Sequence, residues 1–466
     1  MRRIGLVTFS DGRARVHQTL LPSIRRHIKE IKEMAGKLDG LELIVADRIV
    51  TDSRIAVEES KKMVAQDVDG TIFNFPVWNF PNYTSIAATI GKGPYLFLAK
   101  RDPENPGLVG LLCSKGGIDQ LGYKYMSVWG DLNDEKLMKK VDNFTRVAHM
   151  MSSLKGQTFG VIGGRSMGMY TAVPSLAQWQ RQFGVDIEHI DQLEIVRLAK
   201  EVPEDKVKKA LAWLKGNVAE IAFDGKKLTK ETLSEQIRCY YATKKIVEDY
   251  NLDFFGVKCH YELSEYYVPQ CLSAAFFNDP YDFDGQKSPV IMGCEADADG
   301  TLTMQILHLI TEKPVLFFDF RDYDPEYNCY VFCNCGSQAT WFAAAADDAK
   351  ENLKNVSLLP TVPMFKGGGA HVQYMAHPGK VTLARLGRRK DTYWMAIMRG
   401  EFIEVPKEKM RESTWEWPHA FVKMNINYDD IITKFPSNHA HATYGDWVDA
   451  LVEGCKVLGI KPEVLC

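Results

Sequence analysis

The sequence predicts an α/β protein with two Rossmann-like domains, each built on a parallel sheet, followed by a mostly antiparallel, β-rich C-terminal domain. Three observations indicate this arrangement. Apolar, strand-like runs alternate with helix-like stretches up to about residue 154, and the same alternation starts again at residue 158. After Pro314, short apolar runs mixed with glycine and aromatic residues replace the helical periodicity, which is typical of an antiparallel sheet or barrel.

The first α/β domain is predicted over residues 1–155. Its strand-like runs cover residues 4–8, 41–49, 70–75 and 94–98. Between the first two runs, residues 20–34 carry apolar side chains at helical spacing, which indicates an amphipathic helix. Strand, helix and strand in succession favour parallel pairing with helices on the faces of the sheet.

The second α/β domain is predicted over residues 156–313 and the β-rich domain over residues 314–466. The strand-like runs of the second domain start at Phe159 and then cover residues 185–190, 254–259 and 290–293. Those of the β-rich domain cover residues 316–320, 331–334, 381–386 and 393–398. Residues 447–458 are predicted to form a terminal helix that packs on the β-rich domain.

Composition and charge exclude several classes of protein. With 45% hydrophobic and 25% charged residues, the chain of 466 residues has an ordinary globular composition. Its 57 basic and 60 acidic residues lack the basic surplus of a nucleic-acid-binding protein. Apolar runs stay far below the roughly 20 residues of a membrane helix, and the start does not resemble a signal peptide. We therefore expect a cytoplasmic protein without nucleic-acid or membrane partners.

Acidic side chains follow two apolar strands of the predicted sheets. Glu295, Asp297 and Asp299 come directly after the strand near residue 290, and Asp319 ends the next apolar run. Ligands of α/β sheets usually bind at the carboxyl ends of strands. Carboxylates buried together there are unfavourable unless a cation lies between them. The local sequence supports equally well that the first three residues cap the following helix, but Asp319 has no such explanation.

Other motifs are less specific. The pair Asn438-His439 could supply a metal ligand and a hydrogen bond, although an isolated pair of this kind more often lies in a surface turn. The cysteines near residue 330 lack a second pair at zinc spacing. Residues 160–168 follow a strand but do not have the glycine spacing of a dinucleotide-binding loop, which disfavours a dehydrogenase.

Taken together, these positions resemble the L-fucose isomerase family, relatives of L-arabinose isomerase. The matching residues are Glu295 after a strand, Asp319 followed by Phe-Arg, and His439 in an Asn-His pair. Further matches are the segment Phe-Lys-Gly-Gly-Gly at residues 365–369, Ser-Met-Gly-Met at residues 166–169 and Asp-Gly-Arg at residues 11–13. The resemblance covers most of the chain and is strongest from residue 256 to the end.

The resemblance implies an intramolecular oxidoreductase, a metal-dependent ketol isomerase that interconverts an aldose and a ketose through an ene-diol. Its substrate would be a free monosaccharide of the L-fucose or D-arabinose type. Glu295, Asp319 and His439 would bind the metal, and the two carboxylates would also act as the catalytic acid and base. Such a donor set suits Mn²⁺, with Mg²⁺ or Co²⁺ as alternatives. The resemblance further implies a homo-oligomer, commonly a hexamer, in which Arg13 and Trp78 reach into a neighbour's site.

The resemblance also assigns a set of residues to sugar binding. They are Arg13, Trp78, Arg165, Met169, Lys258, His260, Trp417 and Asn438, with Trp415 as the alternative to Trp417. Part of this set departs from the family pattern, because Lys258 replaces a glutamine and Arg165 replaces a valine. Cys335 and Ala370 stand where the family has a serine and a tyrosine.

These departures leave the substrate open. Positive charge at Lys258 and Arg165 would suit an anionic sugar, such as a sulfonated hexose of the sulfoquinovose type. The opposing interpretation is that internal carboxylates such as Glu262 neutralise both charges. A further alternative is a sugar-binding protein with altered catalysis, although Glu295, Asp319 and His439 are all present.

Overall fold

The computed structural model describes residues 1–335 and 338–466, and these separate into two compact units. The first unit contains residues 1–153 and 449–459, and the second contains residues 154–448 and 460–466. The chain on either side of residue 313 thus lies within one unit. The terminal helix belongs mainly to the first unit and not to the β-rich part with which the sequence grouped it. An apolar helix face can be buried on either unit, and periodicity alone does not identify its partner.

The first unit is built on a parallel sheet of five strands. They are β1 Arg2–Thr8, β2 Leu41–Val45, β3 Gly70–Asn74, β4 Tyr95–Lys100 and β5 Tyr125–Gly130, in the order β2-β1-β3-β4-β5. The intervening helices are α1 Ala14–Ala35, α2 Ser53–Ala65, α3 Pro81–Ile90, α4 Gly107–Leu121 and α5 Glu135–Leu154. The central strands are almost wholly apolar and buried, because helices cover both faces of such a sheet. The four strands and the first helix that the sequence predicts are present, whereas β5 was not predicted.

The second unit begins with a parallel sheet of four strands. Its β elements, in chain order, are β6 Thr158–Ile162, β7 Asp186–Ile190, β8 Glu220–Ile221, β9 Phe254–Val257, β10 Tyr281–Asp282, β11 Gly285–Gln286 and β12 Met292–Cys294. The parallel sheet has the order β12-β9-β6-β7, and β10 and β11 form a separate hairpin. The helices are α6 Leu176–Gln182, α7 Leu193–Ala199, α8 Glu204–Asn217, α9 Lys230–Asp249, α10 Glu262–Tyr266, α11 Cys271–Asn278 and α12 Ala298–Thr311.

The β-rich part of the second unit contains a closed ring of strands. Its strands are β13 Leu316–Asp324, β14 Cys329–Cys333, β15 Ser357–Pro360, β16 Ala370–Gln373, β17 Gly379–Arg389, β18 Thr392–Phe402, β19 His419–Lys423, β20 His439–Tyr444 and β21 Lys461–Val464. Antiparallel pairing runs in the order β17-β20-β13-β14-β19-β18, and β17 also pairs with β18, which closes the ring. β21 adds to β18 in parallel, and β15 joins β16 and β8 in a small sheet.

Short helices complete the β-rich part. They are α13 Ala349–Leu353 and α14 Tyr428–Lys434, with 3₁₀ helices at Thr340–Ala343 and Lys407–Glu412, and α15 Val448–Leu458 follows the ring. The structure confirms the predicted fold class of two parallel-sheet α/β parts and a mostly antiparallel C-terminal part. None of the helices within the described residues is long and apolar enough to cross a membrane.

One hydrophobic core joins the parallel sheet of the second unit to the ring of strands. Phe255 and Met292 from the parallel sheet belong to the same buried cluster as Phe318 and Leu383 from the ring. This shared core holds the carboxyl ends of β9 and β12 against the ring. The turn after β12 is therefore packed from both sides.

Substitution of Gly256 in β9 tests the close packing between this strand and the turn after β12. A Cβ atom at this position would lie 2.8 Å from the Cα of Ala296, in the turn after β12. We expect Gly256→Ala to lower the free energy of unfolding by about 1–3 kcal/mol, because an overpacked core must shift its backbone. Urea unfolding followed by circular dichroism measures the change.

Gly216→Ala is the matched control. Gly216 lies in α8, and a Cβ atom there would meet nothing within 4 Å. This variant should gain up to about 1 kcal/mol from the higher helix propensity of alanine. Equal effects of the two substitutions would contradict the packing described for Gly256.

Candidate active site

The turn after β12 places Glu295 at the carboxyl end of the parallel sheet. Glu295 and Ala296 both have left-handed backbone conformations, with φ of 58° and 51°, which is unusual for two consecutive residues other than glycine. The amide of Ala296 donates a hydrogen bond of 3.1 Å to the carbonyl of Val257 in β9. Helix α12 then begins, and Asp297 caps it by accepting a hydrogen bond from the amide of Gly300.

His439 lies between two carboxylates. Its Nε2 atom is 3.5 Å from a carboxylate oxygen of Glu295 and 3.4 Å from one of Asp319. Asp319 in β13 is directly paired with His439 at the start of β20, so strand register sets that distance. The imidazole is fully buried, yet among the described residues its Nε2 atom has no hydrogen-bond partner. Buried polar atoms nearly always have a partner, so this atom requires an explanation.

The other ring nitrogen of His439 is held by Asp297. The distance from Nδ1 to the Asp297 carboxylate is 2.7 Å, and Arg385 in β17 donates to both oxygens of the same carboxylate at 2.6 and 3.1 Å. Burial alone would raise the pKa of Asp297, but the charge of Arg385 and the bond with His439 hold it well below its ordinary value. A carboxylate therefore orients the ring, with Nε2 directed at Glu295 and Asp319.

The two carboxylates that face His439 have different surroundings. Burial raises the pKa of Glu295 to about 7, against the opposing charge of His439. Asp319 is partly exposed and accepts hydrogen bonds from the side-chain amides of Asn438 at 2.9 Å and Asn334 at 3.1 Å. Glu295 is thus desolvated, whereas Asp319 is hydrogen-bonded. Paired carboxyl groups in active sites often differ in this way and take different roles in proton transfer.

The residues predicted to bind sugar are only partly gathered at this site. One donor atom of His260 lies within 4.8 Å of a carboxylate oxygen of Glu295, and Asn438 contacts Asp319 as described. The ammonium group of Lys258 pairs with Glu262 at 2.7 Å, which matches the neutralising interpretation of its charge. Arg165 is exposed and lies over the ring of Tyr170.

The two candidate tryptophans have different neighbours. Trp417 is buried, lies 6.2 Å from the ring of His371, and has the guanidinium of Arg321 6.0 Å from its ring centroid. Arg321 follows Asp319 by two residues, so Trp417 is near the candidate site. Trp415 instead stacks on Arg411 at 3.8 Å and packs on a separate small cluster. The assignment of Trp417 to sugar binding stays a prediction.

None of the contacts described above for the candidate site involves the remaining predicted residues. Met169 is half-buried in the loop after β6. Arg13 and Trp78 belong to the first compact unit, where Arg13 pairs with Asp11 at 2.6 Å and Trp78 is half-buried. Their predicted roles in a neighbouring subunit's site stay predictions.

Sequence reasoning missed the support behind His439. The sequence suggests that Asp297 either caps a helix or binds a cation. In the structure it caps α12 and also orients the imidazole of His439. Arg385 was not singled out, although an arginine within the apolar run 381–386 is unusual and could have drawn attention. Asp299 is fully buried and binds Arg388 and Tyr393 instead of the central cluster.

Comparison with known proteins identifies the family. Two domain profiles match this chain: "L-fucose isomerase, first N-terminal domain" over residues 1–156 and "L-fucose isomerase, C-terminal domain" over residues 332–464. The chain belongs to the L-fucose isomerase family. It is therefore an aldose–ketose isomerase, an intramolecular oxidoreductase that acts on a sugar. His439 lies within the second matched segment, whereas Glu295 and Asp319 lie between the two.

Individual relatives include two kinds of isomerase. The L-fucose isomerase of Haemophilus influenzae strain Rd is 24% identical, over 95% of this chain and 87% of its own length. The sulfoquinovose isomerase of Alkalicoccus urumqiensis is 21% identical, over 67% of this chain and 68% of its own length. That of Priestia megaterium is also 21% identical, over 80% of each chain.

The pair formed by Asp297 and Arg385 allows a stability test. We expect Asp297→Asn to lower the free energy of unfolding by about 3–5 kcal/mol, because Arg385 would remain as a buried charge without its counterion. Asp299→Asn is the matched control, since the side chain of its partner Arg388 is 21% exposed and water can solvate it. The control should lose no more than about 1–2 kcal/mol. Equal losses in urea unfolding would contradict the role given to Arg385.

Proposed function

We propose that this isomerase requires a divalent metal and acts on a free, neutral monosaccharide of the L-fucose or D-arabinose type. The observation that carries the proposal is the buried Nε2 atom of His439, which faces two carboxylates without a hydrogen-bond partner among the described residues. A cation between these three groups would satisfy that nitrogen and offset the repulsion between the carboxylates.

The donor set fits a hard cation. Adjacent ligands of an octahedral ion lie about 3 Å apart, and Nε2 of His439 is 3.4–3.5 Å from each carboxylate. Two carboxylates and one imidazole suit Mn²⁺, with Mg²⁺ or Co²⁺ as alternatives. The bond between Asp297 and Nδ1 of His439 is the support that metal-binding histidines usually have. When bound, such an ion polarises the sugar carbonyl and stabilises negative charge that develops on its oxygens.

Glu295 and Asp319 are the residues we assign to proton transfer. Interconversion of an aldose and a ketose requires a proton to move between C1 and C2, and another between O1 and O2. Glu295 follows the end of β12, whereas Asp319 lies within β13, so the two carboxylates reach His439 from different sheets and can serve different atoms of one sugar. Asn438 and Asn334 hold the Asp319 carboxylate in place, and Asn438 is exposed and available to a sugar hydroxyl.

The ion pair of Lys258 with Glu262, at 2.7 Å, favours a neutral sugar because it neutralises one of the two positive charges. The guanidinium of Arg165 is exposed and lies 5.9 Å from the ring centroid of Tyr170. A sulfonated sugar is the second candidate, and the sulfoquinovose isomerases among the relatives favour it. The ion pair at Lys258 would have to open to offer its charge to a sulfonate.

Removal of the metal and of one carboxylate tests the catalytic proposal. Chelation should abolish aldose-to-ketose turnover and Mn²⁺ should restore it. Glu295→Gln should lower kcat by about 10²–10⁴-fold, because general acid–base catalysis contributes that much. Glu312→Gln, a substitution at an exposed position after α12, is the control and should retain activity. Full turnover after chelation, with metal analysis showing no bound ion, would contradict the proposal.

Substrate comparison separates the two sugar classes. L-fucose, D-arabinose and sulfoquinovose should be assayed at equal concentrations, and we expect the neutral sugars to have at least tenfold higher kcat/KM. Lys258→Met should then change the KM for L-fucose less than twofold, since Lys258 is paired within the protein. Preference for sulfoquinovose, lost in Lys258→Met, would establish the anionic alternative instead.

We also propose that the protein is a cytoplasmic homo-oligomer, a hexamer by the family resemblance. The proposal rests on the resemblance, which assigns Arg13 and Trp78 to the site of a neighbouring subunit. Size-exclusion chromatography with light scattering measures the subunit number directly.

A further inference from the structure

A second set of donor atoms adjoins the candidate metal site. One atom each from His260, Glu295 and Cys335 lies within 4.8 Å of the other two. Glu295 and Cys335 are buried, and His260 is half-buried. We propose that these three residues form a second cation site, selective for a thiophilic ion such as Zn²⁺, and that an ion bound there inhibits the isomerase.

The spacing is close to that of a zinc site. Ligands of a tetrahedral Zn²⁺ lie about 3.4–3.8 Å from one another, so the three donor atoms need only small side-chain movements to reach a common ion. Three protein ligands and one open position are sufficient for Zn²⁺.

His260 is oriented for this role by its neighbours. Its Nδ1 atom is 3.2 Å from the hydroxyl of Ser264, and its ring packs on Phe365 with 4.7 Å between the ring centroids. The opposite nitrogen, Nε2, is therefore the ligand that we assign.

Cys335 lies in a group of buried thiols. Its sulfur is 3.6 Å from that of Cys294, the residue before Glu295, and the thiol of Cys271 donates to the Cys335 carbonyl at 2.9 Å. Glu295 therefore has a sulfur donor of Cys335 within 4.8 Å and the imidazole of His439 at 3.5 Å.

The two donor sets differ in chemistry, and this difference makes the second site selective. Asp319, His439 and Glu295 offer oxygen and nitrogen only, which suits Mn²⁺, whereas a sulfur ligand favours Zn²⁺. Binding forms a zinc–sulfur bond, and the proton of the Cys335 thiol passes to water without any change of oxidation state. Inhibition follows because Glu295 belongs to both sets; this consequence rests on the proposed function, whereas binding does not.

Cobalt reports sulfur ligation directly. Co²⁺ added to the reduced protein should produce the near-ultraviolet charge-transfer band of a cobalt–thiolate bond, a band that Co²⁺ at an oxygen and nitrogen site does not give. The band should disappear in Cys335→Ser and persist in Cys113→Ser, a control at an exposed thiol of the first unit. Absence of the band from the unmodified protein, or its persistence in Cys335→Ser, would overturn the proposal.

Zinc affinity and inhibition supply independent measurements. His260→Gln should weaken Zn²⁺ binding by about tenfold or more in competition with a chromophoric chelator, since even loss of a supporting residue costs that much. Unchanged affinity would overturn the ligand set.

At a Zn²⁺ concentration that halves the activity of the unmodified protein, Cys335→Ser should keep most of its own zinc-free activity. A protein that lacks isomerase activity altogether would contradict the proposed function, and the cobalt band would still decide whether this site exists.

Discussion

The bond between Asp297 and His439 is the interaction on which the candidate site depends. It holds the imidazole through Nδ1, the ring nitrogen that points away from Glu295 and Asp319. Arg385 keeps the Asp297 carboxylate charged, although all three groups are buried. A neutral aspartic acid at this position would hold the imidazole less firmly in its present orientation. Burial of an ion pair is a weak source of stability in general; here its effect is to point one nitrogen at Glu295 and Asp319.

Local sequence patterns were sufficient for the fold class. They placed Asp319 at the end of a strand, whereas β13 continues to Asp324 with polar residues. Alternating apolar runs identified β1, β3, β6 and β9, and the position of Asp319 at the end of an apolar run marked it as unusual. The support behind His439 could not be predicted in this way, because Asp297 and His439 are separated by 142 residues in the chain. Contacts of that kind depend on which strands pair, and single-sequence patterns do not show strand pairing.

The limits of the two compact units also depend on contacts between residues distant in sequence. Residues on either side of position 313 share one core, in which Phe255 of the parallel sheet and Phe318 of the ring belong to the same cluster. A change in the pattern of apolar residues indicates a change of secondary structure. It does not have to coincide with the boundary of a compact unit. The terminal helix shows the converse, since a stretch that follows the ring in sequence is buried mainly with the first unit.

The shared core of the second unit has a consequence for how the protein folds. Glu295 follows the parallel sheet, and Asp319 and His439 belong to the closed ring, so no segment of the chain can assemble the three groups by itself. Contacts between residues so distant in sequence form late, since the entropy of closing long loops must be overcome first. A nascent chain would therefore bring these three side chains together only after β20 has paired with β13, so the candidate site is among the last parts of the protein to form.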